Sequence, residues 1–346
     1  MTGTAPQPAG GAAQAPRGGR AFGLLGRGGS NQEMIVLFVT AVLILVFSAS
    51  LPGFATIGNF LNLGRSVAVL GLLGLGMGIV VIGRGLDLSQ IASMAVPTAI
   101  AAQMMGGGYG LPAALLVGLG VAVVIGIVNG LIISFIEIPA LFTTLATNFL
   151  VYGIARELVL DGFIAYVPTE LEGFLAIGQG TVLGIPAPIL VFVALALVVH
   201  WFMSGTRTGR FIYAHGDNAE TARLSGIAVR PLMVLTYILC ACIGYLAGLV
   251  DAATTASVNT QVINSTLIFD VILVVVLGGI SLVGGRGSVF SVVAGTLLIG
   301  VLLNGMTIMN LDGQVQNIIK GLVLLAAILL DNRLHPRDEE TARQGD

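Results

Sequence analysis

Charge is what this sequence has least of. Only 9% of its 346 residues are Asp, Glu, Lys or Arg, against about a quarter in soluble domains. That scarcity argues against a soluble protein and for a chain that crosses a membrane many times. Cysteine is almost missing as well. Cys240 and Cys242 lie two apart in one apolar segment and point in different directions on a helix, so free thiols are expected rather than a disulfide. The three histidines, His200, His215 and His335, are scattered, and no Cys/His cluster has metal-ligand spacing. No nucleophile–base pair appears, so neither catalytic residues, a metal nor a cofactor is expected. The glycine-rich GGRGS at 284–288 lacks the spacing and the Lys-Ser/Thr end of a phosphate-binding loop, and reads as a tight turn between helices. No basic stripe suggests nucleic acid.

What is present is apolar. Hydrophobic residues make up 56% of the chain, and its 49 glycines suit closely packed membrane helices. The expected fold is an all-α integral membrane protein in contact with lipid, with about ten transmembrane helices. Residues 1–33, rich in Gly, Ala, Pro and Gln, read as a disordered tail, 34–331 as the membrane domain and 332–346 as a charged tail. The apolar runs are 34–51, 67–83, 88–105, 113–136, 140–158, 189–203, 232–253, 266–283, 289–309 and 316–330. Between the first two, Asn59–Ser66 is polar enough for a short or half-inserted helix.

Arginines orient these runs. With the N-terminal tail in the cytosol, Arg84, the four arginines of the 205–231 loop, Arg286 and those of the C-terminal tail all fall inside. Both termini are then cytosolic. The loops at 106–112, 161–188 and 258–265 fall outside and hold no Lys or Arg. Arg65 and Arg156 are exceptions near external ends. A faint internal echo joins VVIGRGLDLS at 80–89 to VVLGGISLV at 275–283, each following an apolar run that passes inward.

The 205–231 loop is a long polar interruption, GTRTGRFIYAHGDNAETARLSGIAVRP. Asp217 and Glu220 stand as a D-x-x-E capping box for a helix of about 218–225, and Gly226 fits its C-terminal stop. Ala219 and Ala222 keep one side low for close approach. A solvated loop whose arginines only fix topology is the alternative. Inside the spans, Asn129, Thr143, Thr144, Asn148 and Asn304 are the polar candidates for a solute pathway, better suited to a neutral hydroxylated solute than to an ion; each could instead tie helices together. Asp251 and Asp270 fall near external ends, and Lys320 has Asp312 as a possible partner. No chain of buried carboxylates suggests a proton relay.

These residues carry a resemblance. GRFIYAHGDNAETARLSGIAV looks like the cytosolic loop of permease subunits of ribose-type ABC importers. IGRGLDLSQIASM is similar to that family's GGIDLSVGS segment, and VVLGGISLVGGRGSVFSVVAGTLLIGVLLNGM follows its LGG-S-GG-GS-GT-GG-NG stretch. The likeness runs over residues 34–333. Arg84, Gln90-Ile91 and Thr221 depart from the family pattern. The resemblance implies a transport subunit in the inner membrane, paired with a second permease subunit, a cytosolic ABC ATPase and a periplasmic sugar-binding protein, and carrying a monosaccharide or related polyol. It places ATPase coupling on Gly216, Asp217, Asn218, Glu220, Ala222, Arg223 and Gly226. A nucleoside, an autoinducer-type furanose or a branched-chain amino acid is the alternative cargo. An ion-coupled secondary transporter is the alternative class.

Overall fold

The computed structural model describes residues 27–334, and its order is almost wholly helical. Two long helices open the chain, α1 (Arg27–Ser50) and α2 (Ile57–Ile82). There follow α3 (Gln90–Gly106), α4 (Leu111–Leu131) with a π-helical turn at Ile132–Ile136, and α5 (Ala140–Leu158). The segment at 161–188 folds as β1 (Ile164–Tyr166), α6 (Glu172–Gln179) and a small hairpin of β2 (Thr181–Val182) and β3 (Ile185–Pro186). Then come α7 (Ala187–Gly205), α8 (Arg207–Asp217), α9 (Ala219–Leu224) and α10 (Val229–Thr255). Strand β4 (Ser257–Asn259) pairs antiparallel with β1, Ala165 opposite Val258, and leads into a 3-10 turn at Thr260–Asn264. The last helices are α11 (Leu267–Gly278), α12 (Val289–Ile308) and α13 (Gly313–Leu334).

Among the described residues six helices are long and apolar enough to cross a membrane: 32–50, 57–82, 111–136, 187–205, 229–255 and 289–308. The other four expected spans correspond to α3, α5, α11 and α13, which are shorter or more polar. Three boundaries differ from the sequence reading. Asn59–Ser66 is no separate element but the first turns of α2, because Thr56 caps the helix by accepting from the Asn59 N–H. The expected tail boundary at residue 33 moves, since α1 begins at Arg27 and the Glu33 carboxylate accepts from the hydroxyls of Ser288 and Ser291, both at 2.6 Å. Residues 1–26 and 335–346 of the two tails lie outside the described residues. The run at 266–283 is helical only to Gly278, because Gly279 takes a left-handed φ of 104° and turns the chain.

The core is built around α2, buried almost without interruption from Val67 to Ile82. It packs against α7, α10, α11 and α12, and α10 packs in turn on α3 and α4. The α4–α10 seam needs glycine: a Cβ on Gly126 would stand 2.5 Å from the Ile238 Cα, and one on Gly130 2.5 Å from the Val234 Cα. Large apolar side chains such as Phe142, Phe149, Leu197 and Trp201 face outward, as lipid contact requires.

Candidate functional site

Two regions at opposite ends of α2 stand out. At its C-terminal end the chain turns twice in the same way. Arg84 takes φ 66°, the Arg84 N–H donates to the Val81 carbonyl at 2.9 Å, and the Gly85 N–H to Val80 at 2.9 Å. Gly279 takes φ 104°, its N–H donates to Val276 at 3.1 Å, and the Ile280 N–H to Val275 at 3.0 Å. Aligned through the echo at 80–89 and 275–283, these positions correspond one to one. Both are Schellman-type helix stops, one made with a strained arginine where glycine would be unstrained.

The two turns touch, and α8 ends on both. The Gly285 N–H donates to the Ile82 carbonyl at 2.8 Å. A Cβ on Gly216 would collide with the Ile82 oxygen and stand 2.5 Å from the Gly285 N. One on Gly285 would stand 2.7 Å from the Asp217 Cα. The Tyr213 hydroxyl donates to the Gly287 carbonyl at 2.9 Å. The GGRGS segment is thus a tight turn, as expected, and also the seat of α8. Beyond it, α9 is shorter than the expected 218–225, and its cap is Asn218, whose side chain accepts from the Thr221 N–H at 2.8 Å. Asp217 closes α8 and does not cap α9, so the D-x-x-E capping box is not formed. An extended residue had to separate the two helices, and Asn218, with φ −152°, takes that place. Gly226 does stop the helix, at φ 82°, with the Ile227 N–H donating to Ala222 at 3.1 Å. Ala222 is buried, while Glu220 and Arg223 face outward.

Just above the first turn is a buried polar knot. Asp87, fully buried, accepts from the Ser89 N–H at 2.9 Å and from its hydroxyl at 2.6 Å. Asn129 of α4 donates to the Ser89 hydroxyl at 2.7 Å, and Thr144 of α5 accepts from the Leu88 N–H at 3.0 Å. Two of the five expected pathway residues, Asn129 and Thr144, therefore hold this turn. Thr143 and Asn148 are buried on α5, and their side-chain oxygens have no hydrogen-bond partner among the described residues.

Asn304 alone of the five lines the large cavity at the other end of α2. It exchanges amide hydrogen bonds of 2.9 and 3.0 Å with Asn59. The cavity, about 630 Å³, lies between α2, α10, α11, α12 and α13. Its wall includes Arg65, Asp251, Asp270 and Lys320. Lys320 does not pair with Asp312. Its Nζ lies 3.0 Å from Asp270 Oδ1, donates to Oδ2 at 3.2 Å and to the Thr266 hydroxyl at 3.0 Å, with both charged side chains buried. Arg65 and Ser66 were missed as wall residues. The signal available was their place near an external helix end, where ionisable side chains in membrane proteins gather around water-filled space.

A multi-span bundle with a glycine-seated helix pair at one end and a polar cavity at the other fits a membrane permease. The chain belongs to the family described as the permease component of the branched-chain amino acid transport system, which matches residues 59–328. It is similar to the ribose import permease RbsC of Escherichia coli K12, 32% identical over 273 residues, 78% of this chain and 84% of that one. The Bacillus subtilis ribose import permease RbsC is 36% identical over 260 residues, 75% of this chain and 80% of its own. The L-arabinose transport system permease AraH of Escherichia coli K12 is 35% identical over 290 residues, 83% and 84% of the two chains. No solved structure matches. The chain is accordingly a transport subunit and not an enzyme.

Proposed function

We propose that this chain is the membrane permease of an ATP-driven importer that carries a monosaccharide or related polyol across the inner membrane. The observation that carries the reading is the similarity to sugar permeases over about four fifths of both chains. Its partners are a cytosolic ABC ATPase and a periplasmic binding protein, and two permease subunits form one pathway, with a homodimer the simplest arrangement. All ten apolar helices cross the membrane, both termini are cytosolic, and the 161–188 segment faces outward.

The coupling contact is α9 with the end of α8, residues 216–226. What supports this is mechanical. Gly216 meets the end of α2 and the turn between α11 and α12 backbone to backbone, so a push on α8 and α9 reaches both without a compliant side chain between. An ATPase closing against α9 would move that helix end and that turn together.

Uptake of labelled ribose, arabinose, galactose and leucine, measured in cells with and without this chain and its partner ATPase, tests the reading. Import of at least one sugar should need both proteins. Leucine uptake alone would move the cargo to the amino-acid class, and accumulation by the lone chain under an ion gradient would replace the class of machine. Single cysteines at Glu172 and Thr208, in a background without Cys240 and Cys242, should label from opposite faces.

A further inference from the structure

At the polar end of the bundle a second space adjoins the cavity described above. An outer space of about 410 Å³ is rimmed by the segment after α10, including Ser257, Gln261 and Ser265. It shares Asp251, Thr255 and Val262 with the wall of the 630 Å³ inner space. Asp251 thus stands where the two meet. We propose that the inner space is a binding station for one neutral polyhydroxylated solute, entered past Asp251, whose carboxylate accepts hydrogen bonds from the solute's hydroxyls. The assignment rests on the solute-importer reading above.

Charge balance argues for a neutral solute. The inner wall carries two cations, Arg65 and Lys320, and two anions, Asp251 and Asp270. Lys320 and Asp270 satisfy one another. That leaves Arg65, whose guanidinium donates to the Asn62 side chain at 3.2 Å but whose Nε is buried without a partner among the described residues, and Asp251, for which the described residues offer a hydrogen bond only to the backbone carbonyl, from Thr255. A cation drawn to Asp251 would meet Arg65, and an anion the reverse. A hydroxyl both donates and accepts, so neighbouring hydroxyls can satisfy an acceptor-only carboxylate and a donor-only guanidinium together. Among the described residues no aromatic side chain lines either space, so recognition would rest on hydrogen bonds rather than on stacking. The inner volume falls in the range of about 300–1,000 Å³ usual for small-molecule sites.

Protection from labelling tests the station. In a chain carrying Cys240→Ala and Cys242→Ala, Ser66→Cys places a thiol on the inner wall, and Leu183→Cys, 99% exposed in the β2–β3 turn, serves as control. Cells that also hold the partner proteins would be treated with a membrane-impermeant methanethiosulfonate, with and without excess D-ribose, L-arabinose or D-galactose. An imported sugar should slow modification of Ser66→Cys several-fold and leave Leu183→Cys unchanged. Adding Asp251→Asn should raise the sugar concentration giving half protection by about tenfold or more, the loss of one charge-assisted hydrogen bond. Protection unchanged by Asp251→Asn would remove Asp251 from the site. A sugar that is imported yet never protects Ser66→Cys would overturn the station and leave the importer reading standing. Import of none of the three sugars would sink that reading, and the station with it.

Discussion

At the end that bears α8 and α9, contacts run backbone to backbone. Gly216 lies on the Ile82 carbonyl and the Gly285 amide, and there is no room for a methyl group. At the other end of the same helix α2, side chains face about 630 Å³ of space, and its wall holds the buried ion pair of Lys320 and Asp270. The difference teaches how one helix can serve two purposes. A joint that transmits displacement must be incompressible, and close-packed backbone is. A chamber that admits and releases a solute must be lined by groups that can exchange partners, and polar side chains do so. The two ends should therefore fail differently when altered.

The largest effect belongs to the chamber end. Lys320→Met leaves Asp270 buried without its cation and should destabilise the protein by about 3–5 kcal/mol. The double change Lys320→Met with Asp270→Leu should restore most of that loss, because an apolar pair in place of a buried ion pair is often neutral or better. Thermal unfolding in detergent would measure both. A Lys320→Met protein as stable as its parent would mean that the pair is not what fastens α13 to α11.

Next comes Gly216→Ala. A methyl group there meets backbone rather than a side chain that could swing away, so overpacking should cost about 1–3 kcal/mol. The sharper expectation is functional. Transport should be lost even where the protein accumulates, because α8 lifts off the end of α2 and the turn around Gly285. Transport at the parent rate by Gly216→Ala would break the contrast between a rigid end and an open one.

Much of this contrast could be read from the chain, and the limits have physical causes. The echo at 80–89 and 275–283 led to two helix stops of the same geometry, because a left-handed stop has a local glycine-rich grammar. Gly226 was legible for the same reason. The cap of α9 was not: Asp217 and Asn218 are both good capping residues, and the break after α8 decides between them. For Lys320 nearness in sequence offered only Asp312 as a possible partner, whereas its partner Asp270 lies fifty residues away and only the packing of α11 on α13 brings it there. Asn129 and Thr144 were legible as buried polar groups, but their shared hold on the 86–89 turn is tertiary. The β1–β4 pairing gave no signal, since three-residue strands lack a readable period.

The misplaced cap gives a smaller test at the rigid end. Asn218→Ala should cost roughly 0.5–2 kcal/mol, because it orphans the Thr221 N–H. Asp217→Ala removes no cap and should stay within about 0.5 kcal/mol. Stimulation of the partner ATPase, compared at equal membrane abundance, should fall more for Asn218→Ala. Equal losses for the two would restore Asp217 as the cap that the D-x-x-E spacing suggested.

The smallest effect is a dependence on pH, and it separates the ends by chemistry rather than by size. His215 lies in the last turn of α8, buried, with its Nδ1 unpartnered among the described residues. Burial lowers its pKa below the ordinary 6.5, and the cations Arg84 and Arg223 lower it further. The unfolded chain therefore binds a proton more readily than the folded one. The stability that neutral His215 allows is complete above the ordinary value and is lost as pH falls below it towards the depressed folded value. A charged imidazole would be forced beside two arginines in the joint where α8 meets the core. Unfolding of the parent in detergent should thus occur at lower temperature as pH drops from about 7 to about 5. His215→Gln cannot take up that proton, so its decline over the same interval should be shallower. Parallel curves for the parent and His215→Gln would show that His215 contributes nothing to the acid sensitivity of the joint.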